Sequence, residues 1–154
     1  MSLRQFLATG LVVFIWPSLA PAEESGLQLE NAWVRALPPT QPTTAAYMSL
    51  SNGGSETVTI TGATVTGAGR VEIHRSLEVD GLMRMEQLTT LELAAGSTLE
   101  LAPGGTHLML FDLEQMPKPG EQRRICLQLA EGQAVCADAD VRKSADAGGH
   151  HHHH

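Results

Sequence analysis

The chain has few of the features that place a protein in a common functional class. Before a terminal run it contains only two histidines, His74 and His107. It has two cysteines, Cys126 and Cys136, and neither stands in a Cys-x-x-Cys or beside a histidine. A thiol oxidoreductase therefore has neither its usual dithiol spacing nor a nearby base. There is no basic patch and no interleaving of aromatic and basic residues, which argues against nucleic acid as a partner. Beyond the N-terminus no apolar run is long enough to span a bilayer, which takes about 20 residues. No useful length of helical period, no internal repeat and no composition shift marks a helical bundle, a solenoid or a second domain.

The N-terminus reads as an export signal. Arg4 supplies a positive start, Phe6 to Trp16 is an apolar run of 11 residues, and Ala20-Pro21-Ala22 is a small-residue cleavage site. Cleavage after Ala22 is expected, dividing the chain into a signal peptide at 1–22, one β domain at 23–143 and a tail at 144–154. No cysteine follows the cleavage site, so a lipid-modified N-terminus is not expected. Removing residues 1–22 takes away Arg4 and no acid. That leaves 9 basic against 17 acidic side chains and a net charge of −8. An acidic surface attracts cations and basic partners, weakly at physiological salt.

The body is β throughout. Runs rich in Val, Ile, Thr and Leu alternate with turn clusters such as Asn52-Gly-Gly54, Asp80-Gly81, Pro103-Gly-Gly105 and Pro117-Lys-Pro-Gly120. Strands are expected at 27–35, 45–51, 57–66, 69–77, 82–87, 98–101, 107–113, 123–129 and 133–141. Many short strands at this spacing predict a sandwich or barrel.

Against that background, His74, Met85, His107 and Met109 form a pattern, His-x10-Met-x21-His-x-Met. Imidazole with thioether and no thiolate suits a soft monovalent ion, Cu(I), better than zinc, calcium or magnesium. Thioether sulfur does not titrate and cannot form a disulfide, so it can hold Cu(I) where free thiols would be oxidised. A blue-copper set would need a Cys thiolate with two His, and none is present. The Asp80-Gly81 hairpin sets Val79 opposite Leu82, hence Ser76 opposite Met85 and His74 opposite Gln87. His74 and Met85 then share one face as diagonal neighbours. His107 and Met109, two apart on a strand, share a face as well, while Leu108 and Leu110 point into the core. Met83 shares the face of Met85 and reads equally as a spare thioether or as packing. Met48 and Met116 read as packing or surface. Whether the two halves of the pattern meet is a question of tertiary structure.

Around the cysteines, Ile125, Leu127 and Leu129 alternate with polar residues, as do Val135, Ala137, Ala139 and Val141. This predicts a hairpin whose three-residue loop, Ala130-Glu131-Gly132, has Gly132 in the left-handed position. The register sets Leu129 opposite Gln133 and Cys126 opposite Cys136, both outward. A cross-strand disulfide is the natural reading; a pair of thiols that bind or reduce copper is the rival. At the C-terminus, His150, His151, His152, His153 and His154 read either as a purification tag or as a native metal-gathering tail.

The His/Met spacing resembles that of the periplasmic copper chaperones called PCuAC. Further segments look similar to that family: Asn31-Ala-Trp33-Val-Arg35-Ala, Ala45-Ala-Tyr47-Met-Ser-Leu-Ser-Asn52, Val71-Glu-Ile-His74 and Gly104-Gly105-Thr-His107-Leu-Met109. Together they cover roughly residues 27–141. The resemblance implies a cupredoxin-like Greek-key β fold and one Cu(I) on His74, Met85, His107 and Met109. It also implies a periplasmic location and copper delivery toward the Cu(A) centre of cytochrome oxidase, with a Sco-type chaperone or oxidase subunit II as partner. Ser76 stands where members often have another Met, and the cysteine pair is not part of the family signature. The His tail is similar to extended termini that bind additional Cu(II). Alternatives remain open: copper storage, uptake or resistance without an oxidase target; a cysteine-dependent thiol oxidoreductase; and a structural or adhesion β domain in which the pattern is incidental.

Overall fold

The computed structural model describes residues 26–144; the expected signal peptide and the His tail lie outside the described residues. Ten strands follow one another: β1 (Leu27–Arg35), β2 (Thr44–Asn52), β3 (Val58–Val65), β4 (Ala68–Val79), β5 (Leu82–Leu88), β6 (Leu91–Leu93), β7 (Thr98–Leu101), β8 (Thr106–Leu113), β9 (Gln122–Leu129) and β10 (Ala134–Arg142). The all-β expectation holds. The strand bounds match the sequence reading within a residue or two, except at β6, three residues too short to show a period of its own.

The strands form one mixed sheet in the order β5-β4-β8-β2-β1-β10-β9-β3-β6, with β7 pairing the far half of the β2 edge that β8 also uses. Among the described residues all strand pairings are antiparallel except that of β1 with β10. The sheet folds over itself. Ile73 of β4, Leu108 and Leu110 of β8, Ile60 of β3 and Ile125 and Leu127 of β9 meet in one buried cluster although their strands lie far apart in the sheet order. Burying this alternate set of aliphatic side chains is what drives the closure, at about 1.5–3 kcal/mol for each fully buried residue. Met48 is in this core and Met116 is buried near it, in keeping with packing roles.

Two local devices orient what lies on the outside. Asp80 and Gly81 both take positive φ, 53° and 75°, the conformation that a two-residue hairpin matching the strand twist requires. A bulge in β1 shifts the register between Glu30 and Trp33, with Asn31 at φ 53°. Before the bulge the odd residue Leu27 faces the core; after it the even residue Val34 does. The extra residue thereby turns Trp33 and Arg35 to the opposite face. There Trp33, Ala45 and Tyr47 make a second, smaller buried cluster.

The cysteine hairpin has the expected register. Cys126 stands opposite Cys136, and they form a disulfide. The Leu129 amide donates to the Gln133 carbonyl at 2.8 Å, and Gly132 takes φ 85°. No free cysteine remains among the described residues.

Candidate metal site on the outer face of β5, β4 and β8

Strand β8 divides its side chains by parity. Leu108 and Leu110 enter the core, while His107, Met109 and Phe111 take the other face. Strand β4 pairs with β8 so that His74 is directly opposite His107, and Glu72 directly opposite Met109. Strand β5 pairs with β4 so that Met85 is opposite Ser76 and diagonal to His74. The two halves of the His/Met pattern thus meet on one face of three adjacent strands, with the two imidazole ring centres 6.0 Å apart.

Each imidazole is oriented by one hydrogen bond and keeps one nitrogen free. His107 Nδ1 lies 3.0 Å from the Gly105 carbonyl oxygen. A carbonyl can only accept, so Nδ1 carries the proton and Nε2 holds the lone pair. His74 Nε2 lies 2.8 Å from the Glu72 carboxylate, which likewise sets the proton on Nε2. His74 Nδ1 is buried with no hydrogen-bond partner. An unpaired buried acceptor is costly unless something else occupies it.

The surroundings of His74 disfavour its charged form. Burial pushes the His74 imidazole below its ordinary value, and the Arg70 guanidinium pushes the same way. Glu72 could have opposed this, but Arg70 also pairs with the Glu72 carboxylate and offsets its pull. His107 is only 5% exposed and sits 6.3 Å, ring centre to ring centre, from Tyr47, which stacks on Trp33 at 4.5 Å. Phe111 lies 6.1 Å from the His74 ring and carries Arg70 over its own face at 4.0 Å. At His74, desolvation disfavours the imidazolium and leaves the Nδ1 lone pair available to a soft cation.

The thioethers are disposed differently. Met109 is partly buried beside His107, whereas Met85 is 56% exposed on an edge strand. Met83 is 64% exposed, so it is not a packing residue. Among the described residues no group of three or more His, Cys, Asp or Glu side chains is placed to hold an ion. The donors of this face are nitrogen and thioether sulfur, which select for softness. Sequence reasoning did not single out Glu72, although it stands two residues before His74 and so had to share its face. Nor did it see the Trp33–Tyr47 wall, because no pattern within one strand reveals the bulge that builds it.

An all-β domain whose outer face gathers two imidazoles and two thioethers defines a class, that of PCuAC-type domains. The chain belongs to the LpqE-like family, described as "Putative lipoprotein LpqE-like", whose profile matches residues 27–141. It is 33% identical over 111 residues to "Putative lipoprotein Lxx21020" of Leifsonia xyli subsp. xyli, covering 71% of this chain and spanning 66% of that protein's length. Its fold matches the apo PCuAC domain from PmoF1 with a TM-score of 0.64 at 21% identity, covering 79% of this chain and 97% of that one. It also matches the solution structure of CuI-DR1885 from Deinococcus radiodurans, with a TM-score of 0.57 at 29% identity, covering 82% of this chain and 83% of that one. The lipoprotein names point to exported proteins. In this sequence both cysteines are joined to each other, so neither is a thiol available for acylation. Among the described residues no helix is long and apolar enough to cross a membrane.

Proposed function

We propose that this protein is a non-enzymatic Cu(I) metallochaperone, and that His74, Met85, His107 and Met109 are its ligands. The observation that carries the reading is the apposition of His74 and His107 across β4 and β8. Each ring is oriented by a hydrogen bond on one nitrogen, and one of the remaining nitrogens is buried without a partner. The donor set is uncharged, so the ion keeps its single positive charge, which favours Cu(I) over a harder Cu(II) site. The similarity to the CuI-DR1885 structure from Deinococcus radiodurans supports the same reading.

One buried donor, His107, one partly buried donor, Met109, and one exposed donor, Met85, suit capture and release rather than permanent storage. An incoming thioether or thiol on a partner can displace Met85 first, while the buried side keeps its hold. The cargo is taken up in the periplasm after cleavage behind Ala22, and passes toward the Cu(A) centre through a Sco-type chaperone or oxidase subunit II. His150, His151, His152, His153 and His154 offer a looser site for Cu(II).

An anaerobic Cu(I) competition titration tests this, using the mature chain with His150–His154 replaced by alanine. One tight equivalent is expected, and Met85→Ala or Met109→Ala should weaken it by well over tenfold with little change in fold. Wild-type affinity in those variants would remove the site assignment. Oxidase activity in a deletion strain grown on limiting copper separates delivery to an oxidase from storage or resistance.

A further inference from the structure

The face that carries His107 continues across β2 and β1 to β10. His107 stands opposite His74, its ring centre is 6.3 Å from that of Tyr47, and Tyr47 is the cross-strand partner of Trp33. One row over, Met109 pairs with Glu72 and with Ala45, and Arg35 follows Val34, the partner of Ala46, along β1. Arg35 and Arg142 are direct partners on the parallel strands β1 and β10. Both lie over the aromatic shelf. The Arg35 guanidinium carbon is 5.1 Å from the Tyr47 ring centre and 5.8 Å from that of Trp33, and that of Arg142 is 4.8 Å from Trp33.

Among the described residues no carboxylate pairs with either arginine. Arg70, Arg75, Arg123 and Arg124 each make an ion pair, with Glu72, Glu86, Glu121 and Asp138 respectively, and Arg84, on the exposed edge strand β5, makes none. Arg35 and Arg142 make none, and Nε of both is buried without a hydrogen-bond partner. Two guanidiniums held side by side repel each other; the ring faces beneath them offset only part of that. The chain carries 17 acids against 10 basic residues, yet none among the described residues is paired with these two. Both arginines are partly buried, and a planar guanidinium can bind a carboxylate through two parallel hydrogen bonds.

We propose that Arg35 and Arg142, on the Trp33–Tyr47 shelf, form a docking site for the carboxylates of an acidic segment on the protein that exchanges copper at the adjoining His/Met face. The identity of that partner rests on the Cu(I)-carrier reading; the carboxylate site does not. Tyr47 touches both regions, so a segment seated on the arginines lies alongside His107 and is positioned to present a donor to the metal. The contact also gives an acidic chaperone a way to receive an acidic partner without general repulsion at the point of transfer.

The probe is a hexaglutamate peptide titrated into the metal-free chain and followed by the Trp33 indole and the arginine Nε–H resonances in NMR spectra. Saturable shifts confined to this face are expected, weakening as salt is raised. In the Arg35→Gln/Arg142→Gln variant binding should fall about tenfold or more, with Cu(I) affinity unchanged, while Arg124→Gln should bind as wild type. Should the glutamine pair fail to fold, the Arg35→Lys/Arg142→Lys variant keeps the charge but loses the fork, and is expected to bind several-fold more weakly. Undiminished binding in a folded variant overturns the proposal. So does equal binding of hexaglutamine, which would mean apolar docking, or of free glutamate, which would mean a small-anion site. Hexaglutamate binding in a protein that takes no Cu(I) would leave the carboxylate site standing and remove the carrier reading instead.

Discussion

The hairpins β4–β5 and β9–β10 are built alike and used in opposite ways. Each is antiparallel and closed by a tight turn with glycine at positive φ, Gly81 in one and Gly132 in the other. In β9–β10 the inward residues Ile125, Leu127 and Leu129 are almost wholly buried, and a disulfide joins the outward pair. In β4–β5 the second strand is an edge whose Leu82, Met83 and Met85 are exposed. Sulfur appears in both, as a cross-link in one and as exposed thioethers in the other. In an oxidising compartment, the setting the proposed function implies, thiols become structural bonds and only thioethers stay available as soft donors. The strand that carries the candidate thioether donors contributes little to the core.

Substitutions should separate the two hairpins most sharply in stability. Leu127→Ala is expected to destabilise the fold by about 2–5 kcal/mol, as large-to-small changes in a packed core do. Met85→Ala should stay within about 0.5 kcal/mol of wild type, as exposed positions do. Urea unfolding of both variants checks this, and comparable losses would mean that the edge hairpin is not the open element described. Next in size is the cross-link. With a sequence separation of 10 between the cysteines, replacing both by serine should cost about 2–3 kcal/mol and leave Cu(I) affinity unchanged. A fall in copper affinity would bring the cysteines into the metal chemistry. The smallest effect concerns His74. Its folded value lies below the ordinary value near 6.5, so the unfolded chain binds more protons in that interval. Stability of the metal-free protein should therefore decline as pH falls through 6.5 toward the lowered value. The slope should flatten in His74→Gln, and an unchanged slope would locate the titration elsewhere.

The two hairpins were also legible to different degrees. For β9–β10 the alternation of Ile125, Leu127 and Leu129, the loop glycine and the spacing of the cysteines sufficed for register, inward face and cross-link. For β4–β5 the Asp80-Gly81 turn sufficed to set His74 diagonal to Met85. In both, the information is local, because a two- or three-residue loop leaves few registers open and side chains alternate with period two. The β1 bulge escaped because one inserted residue reverses the parity of everything after it, and Leu27 to Arg35 reads as a plain strand without it. Leu91–Leu93 escaped because three residues carry no period.

By itself, then, the sequence determined the strands, the hairpin registers, the disulfide pairing and the soft donor set, since each depends on residues near in the chain or on side-chain chemistry alone. Only the tertiary structure decided that β4 lies beside β8 with His74 against His107, that Glu72 and Gly105 leave one nitrogen free on each ring, and that Arg35 and Arg142 stand together over Trp33. The strand pairings among these, β4 with β8 and β1 with β10, join strands that have several other strands between them in the chain. Closing the sheet over a common core selects them, and burial of aliphatic side chains from many distant strands is a property of the whole chain that no local pattern contains.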